Sequence, residues 1–211
     1  MGVRLGGVPP KLFPKAAAEL SLWHAVGYRD NAGRYGLPER PQETEHLTQR
    51  TWTRLGAMYT FSGTQHASAF LNAGIAEDSD PLSSFRLGGG LRLRAEFPLT
   101  LHGYINNVEE IFARSFVLVN LAYRFPVWPD QDRVHLQLFA DYAWVDYLLG
   151  HHLPRNNLGG VGASLSVALT NGIMLVVGYG YGINATRNGG FGATISTRSS
   201  SSSGEDLWGE P

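Results

Sequence analysis

The feature that most constrains this chain is an alternation of period two that recurs in eight segments along it. Residues 16 to 28 place Ala16, Ala18, Leu20, Leu22, Val26 and Tyr28 on one face, interrupted by His24, against Glu19, Ser21 and Trp23. Thr51 to Phe61 sets Leu55, Ala57, Tyr59 and Phe61 against Arg50, Arg54 and Gly56. Gln65 to Ala76 sets Ala67, Ala69, Leu71, Ala73 and Ile75 against His66, Ser68, Asn72 and Gly74. The pattern returns over Arg114 to Phe125, Val134 to Tyr147, Gly159 to Thr170, Ile173 to Ile183 and Phe191 to Thr197. Such alternation predicts strands with one apolar and one polar face. Short turns at 62 to 64 and at Asn171 and Gly172 predict antiparallel hairpins.

The polar face of these segments is unusual. It is built mainly from Gly, Ser, Asn and Thr, and the aromatic residues gather near strand ends on the apolar face. Tyr28, Tyr59, Phe61, Tyr123, Phe125, Tyr142, Trp144, Tyr179 and Tyr181 are the members of that set. A soluble sandwich normally puts charged residues on its wet face, whereas charged residues here are only 17% of the chain and Gly numbers 26. A tilted strand crosses the hydrocarbon layer in about 9–11 residues. Its lipid face is apolar and flanked by aromatic girdles, and its lumen face is small and polar. The predicted fold class is therefore all-β, an antiparallel transmembrane β-barrel, over residues 1–198. No run of 18 apolar residues predicts a membrane helix.

Composition narrows the chemistry. A formal net charge of −1 argues against a nucleic-acid surface. The absence of cysteine removes disulfides, thiolate metal sites and Cys nucleophiles. Residues 1 to 10 have no apolar signal core, so an outer-membrane location implies a longer precursor carrying a signal peptide. Residues 34 to 47, with Pro38 and Pro41, read as a surface loop, and 199–211 as a disordered Ser-rich tail.

The stretch from Phe85 to Tyr104 breaks the alternation. It starts like a strand, passes through Gly88, Gly89 and Gly90, and ends at His102, Gly103 and Tyr104. This reads as a loop of about residues 88–113 that folds into the barrel. Arg50, Arg54, Arg124 and Asp141 fall on the polar face and are expected to be lumenal charges that hold it.

Other polar groups have simple readings. His151 and His152 are adjacent and point oppositely in an extended chain, so they suit a solvated loop. Glu77, Asp78 and Asp80 match no complete calcium loop. Gly178, Gly180 and Gly182 lack the Lys and the helix of a phosphate loop. His135 and Asp141 lie six residues apart on one strand, roughly 20 Å, too far to act on each other. No nucleophile elbow is present. No catalytic residue, cofactor or metal is expected.

From Phe85 to Gly192 the order of features resembles the bacterial surface antigen family, whose sixteen-stranded barrels assemble or translocate proteins at outer membranes. Leu87 to Gly90 resembles the strand that feeds the family's infolded loop, and Leu101 to Tyr104 stands where its Arg-Gly-aromatic tip lies, with His102 in the arginine's place. Arg114 to Val127 resembles the next strand, and Gly178 to Gly190 the final hairpin. The resemblance implies the C-terminal half of a longer barrel. It also implies a lipid bilayer, unfolded client polypeptides and N-terminal periplasmic domains as partners. The alternative expectation is a passive, porin-like or structural barrel with no client; a lumenal hydrolase ranks third.

Overall fold

A computed structural model describes residues 1–6, 15–37, 40–61, 65–88, 99–104, 111–128, 131–151, 153–170, 173–184 and 190–197. They form no helix and twelve strands. These are β1 (Gly2–Gly6), β2 (Ala16–Tyr28), β3 (Arg34–Leu37), β4 (Arg40–Glu43), β5 (Leu47–Thr60) and β6 (His66–Glu77). They continue with β7 (Phe85–Leu87), β8 (Ile111–Trp128), β9 (Gln131–Tyr147), β10 (Asn157–Thr170), β11 (Ile173–Ile183) and β12 (Gly190–Thr197).

Nine strands follow one another in a single antiparallel sheet ordered β1-β2-β5-β6-β8-β9-β10-β11-β12. The short β7 extends the β6 side of β8, pairing Phe85 with Ala113 and Leu87 with Ile111. The two ends of the order, β1 and β12, do not pair with each other among the described residues, so the sheet is open rather than closed.

The period-two pattern fixes the strands and their register, because a slip of one residue would turn every apolar side chain to the other face. One outward row runs Leu5, Leu20, Leu55, Leu71, Val119, Tyr142, Gly159 and Ile183 across eight consecutive strands. The next runs Ala18, Ala57, Ala69, Leu121, Ala140, Val161 and Tyr181. Leu20, Leu22, Leu55, Leu121 and Tyr142 on this face are each about half exposed, at 47 to 54%. His24, the one interruption, bonds Thr51 Oγ1 across the strands at 2.9 Å. Glu19, Ser21, Asn72, His66, His135, Asp141, Ser164 and Ser166 are buried on the opposite face. The sheet is thus apolar outside and largely polar inside.

The structure goes beyond the sequence reading in three places. Residues 34 to 47 are more than loop: they contain the β3–β4 hairpin, tied by Arg34 Nε to Glu43 Oε1 at 2.9 Å and by Gly33 to Thr44. Gly2–Gly6 is an edge strand on β2. Pro126 does not end its strand; β8 runs to Trp128 through a register shift there, where a residue lacking an N–H is tolerated.

The inner face also divides. Near the long connections it is apolar and bulky, with Phe116, Leu118, Val145 and Leu158 buried. They form a core with Phe85, Leu87, Leu99, Leu101 and Tyr104. The polar face read from glycine and serine holds only for the half nearer the short turns, because Phe85, Leu87, Leu99, Leu101 and Tyr104 cover the apolar half. The Asn171–Gly172 turn and residues 198–211 lie outside the described residues.

At the core end, Asp80 ties three connections together. Its carboxylate pairs with Arg29 and accepts the Glu45, Leu82 and Ser83 amides and the Ser83 hydroxyl.

Candidate functional site

Residues 99–104 lie on the inner face across β8 to β11, centred on the row Glu19, Gly56, Phe70, Asn120, Asp141, Gly160 and Gly182. Leu101 and Tyr104 enter the core and are 0% and 1% exposed. The Tyr104 amide closes a turn on Leu101 O at 3.3 Å. Its hydroxyl donates to Ile183 O on β11.

His102 is the polar contact of this turn. Its backbone N–H donates to Asp141 Oδ2 at 2.7 Å, and its Nδ1 lies 2.5 Å from the same oxygen. A carboxylate only accepts, so Nδ1 carries the proton. Asn120 Nδ2 donates to Asp141 Oδ1 at 2.7 Å and to Thr100 O at 2.8 Å. The Asp141 side chain is 0% exposed, so its hydrogen bonds are made away from water, while the imidazole keeps 23% of its surface exposed. The imidazole stacks on Phe139, with centroids 3.6 Å apart and planes 25° apart.

Two glycines permit the close approach. Gly103 has φ +85°, and a Cβ there would sit 2.1 Å from the Gly182 nitrogen, so both the left-handed backbone and the space demand glycine. A Cβ on Gly160 would meet His102 O at 2.3 Å. The missing side chains on β10 and β11 form the seat for the turn.

The expected site residues fall into two groups. Gly88 ends β7, and its amide bonds Leu99 O at 3.2 Å, bringing the two flanks of the long connection together. Gly89 and Gly90 lie outside the described residues. Arg50, Arg54, Arg124 and Asp141 all alternate onto the inner face, and Asp141 meets the turn directly. Arg50 lies over Trp52 at 6.0 Å and Arg54 over Phe70 at 4.5 Å. Arg124 donates to Gln137 Oε1 from Nε at 3.1 Å and Nη2 at 2.7 Å. Asn120, Phe139 and Gly160 complete the site and were not singled out from the sequence. Their inward parity could have flagged them, but nothing local says that one turn meets all three.

His102 and Asp141 make a His–carboxylate pair that joins the turn to β9. Among those residues no three His, Asp or Glu side chains converge as a metal site. His151 tilts against Phe112 at 4.7 Å, and His152 lies outside the described residues. No protein-family model and no curated protein matches this chain.

Proposed function

We propose that this chain is wall and infolded loop of an outer-membrane β-barrel of the surface-antigen type, assisting insertion or translocation of polypeptides at that membrane. The observation that carries the reading is the inverted sheet: continuous apolar rows on the exposed face, polar rows on the covered one. In water, exposed apolar patches beyond a few hundred Å² mark an interaction surface, and these rows cross seven and eight strands. A bilayer is the partner that covers a whole sheet face evenly, and it asks for this polarity. The turn latched by His102 on Asp141 supports the infolded-loop part of the reading.

On this reading the open edges β1 and β12 require further strands, since unpaired strand edges are not tolerated in hydrocarbon. The barrel is then completed to sixteen strands by sequence preceding β1. The mechanism uses the lumen and a separable strand seam, without bond chemistry.

The test reconstitutes the chain with any in-frame upstream strands in liposomes and follows folding of a denatured barrel client. Faster client insertion than into empty liposomes supports assembly activity. Ion conductance with no effect on the client instead selects the passive barrel. Failure of Trp144, on the outward face, to be quenched by brominated lipid refutes the membrane reading itself.

A further inference from the structure

The polar row next to the loop turn, on the side of the short hairpins, has chemistry that neither the latch nor the wall uses. Thr60, His66, Arg124, Gln137 and Ser164 are successive register partners on β5, β6, β8, β9 and β10. All five alternate onto the inner face. His66 and Ser164 are buried, and His66 Nδ1 is 3.2 Å from Thr60 Oγ1.

We infer that this row is a binding site for a small oxyanion of the phosphate class, gripped by the Arg124 guanidinium. Three observations lead there. A guanidinium offers five N–H donors in a flat fork, and Arg124 aims two of them, Nε and Nη2, at the single neutral oxygen of Gln137. Two donors converging on one amide oxygen leave unused the two-oxygen complementarity that this fork has with phosphate or carboxylate. The remaining nitrogen, Nη1, has no recorded acceptor among the described residues.

The charge balance points the same way. Within the row there is a cation and no anion. Two buried inner-face carboxylates among the described residues are engaged: Glu19 with Arg4 at 3.5 Å, Asp141 with His102 and Asn120. Asp141 is also four residues from Gln137 along β9, roughly 13 Å. Among the described residues Arg124 makes no ion pair; burying a cation is costly, and an anion relieves that cost.

The boundaries set the ligand's size. On one side the His102–Phe139 stack closes the row, Phe139 being two residues from Gln137. On the other, His135 is buried and pairs in register with Pro126 and Ser166. Between those neighbours the site is a single register row, so the ligand inferred is a phosphate-sized group rather than a polymer. It stands on inner-face geometry and does not depend on whether the outer face meets lipid.

The test measures inorganic phosphate binding to the full chain in detergent micelles, by calorimetry and phosphorus line broadening at constant ionic strength. Saturable binding is expected. Arg124→Gln should weaken it at least tenfold, and Arg124→Lys should retain charge but lose part of the affinity, because an ammonium lacks the fork. Arg50→Gln, altered on the same face but away from the row, should bind like the parent. If Arg124→Gln loses its strand circular dichroism, the Lys variant and Gln137→Ala decide. The latter frees the fork and should bind at least as tightly as the parent. No saturable binding by the parent overturns the inference, as does equal loss in Arg50→Gln or tight binding by folded Arg124→Gln.

Discussion

Removing the Asp141 carboxylate tests how the turn at 99–104 is held. In Asp141→Ala three donors lose their acceptor at once: the His102 amide, its Nδ1–H and the Asn120 amide group, at 2.7, 2.5 and 2.7 Å. A hydrogen bond to a charged group contributes about 1.5–3 kcal/mol, but losses within one network do not add and the cost of burying the carboxylate disappears with it. Breaking a buried pair from one side costs about 3–5 kcal/mol, the loss expected for Asp141→Ala. His102→Ala leaves Asp141 two of its three donors and removes one bond and the Phe139 stack, so a loss of about 2 kcal/mol is expected. Because both changes delete the same contact, the double mutant should cost less than their sum by about 1–2 kcal/mol. Equilibrium unfolding in urea from detergent micelles, for parent, both singles and the double, measures this coupling. Slowed amide exchange at Gly103 and Tyr104 in the parent, lost in both singles, locates it. Additive losses within about 0.5 kcal/mol would refute the latch.

Further outcomes follow from the same coordinates. Gly103→Ala combines a φ of +85° with a Cβ 2.1 Å from Gly182 N; a loss of more than about 1–3 kcal/mol is expected, with the turn's exchange protection lost while the strands remain. Leu55→Arg, at a half-exposed outward position, should cost about 2–4 kcal/mol in lipid if it lies near the bilayer midplane; unchanged liposome partitioning would count against a buried outer face. Burial alone would raise the Asp80 pKa, but hydrogen bonds from Arg29, Ser83 and the Glu45 amide outweigh it and hold the carboxyl below its ordinary value. Its folded pKa is therefore the lower one, so its stabilisation is complete above the unfolded value of about 3.9. That contribution is lost as pH falls through the folded value. Thermal melts from pH 6 down to 2 should show the loss in the parent and a flatter profile in Asp80→Asn.

The strands were legible because a half-buried sheet imposes period two, and the inward parity of Arg54, Arg124 and Asp141 followed from it. What escaped was short or non-local. The β3–β4 hairpin has four residues a side and the sequence cue of Pro38 and Pro41, so no period could be counted. β1 is a five-residue edge whose pairing with β2 is set by the longer strand. In the site, His102 was visible at the tip of a glycine-bounded loop and Asp141 as an inward charge. That they touch is a fact of register: Asn120, Asp141 and Gly160 become neighbours only when β8, β9 and β10 align. Alternation assigns a face and cannot assign a partner on it. Phe116, Leu118 and Val145 mark the same limit, since their bulk on the polar face makes sense only once Leu99, Leu101 and Tyr104 cover them.

The two apolar surfaces of this sheet do different work, and the difference bears on how it could be stable. The inner one is conventional: Phe85, Leu87, Leu99, Leu101 and Tyr104 bury it, and the buried apolar area there stabilises the fold in any solvent. The outer one gains nothing from the chain itself, because its leucines and tyrosines stay about half exposed in row after row. In water those rows would carry the hydrophobic cost of a core without its benefit, and the two edges left unpaired among the described residues would add an aggregation template. In a bilayer the same rows lose their contact with water, leaving the edges as the unmet requirement. Outer-face partitioning and edge completion are therefore linked: an extended chain that closes β1 onto further strands should insert stably, whereas residues 1–211 alone should associate with membranes yet remain fully extractable by urea. Urea resistance of the isolated chain would show that its edges are satisfied without added strands, and would refute the requirement for a longer barrel.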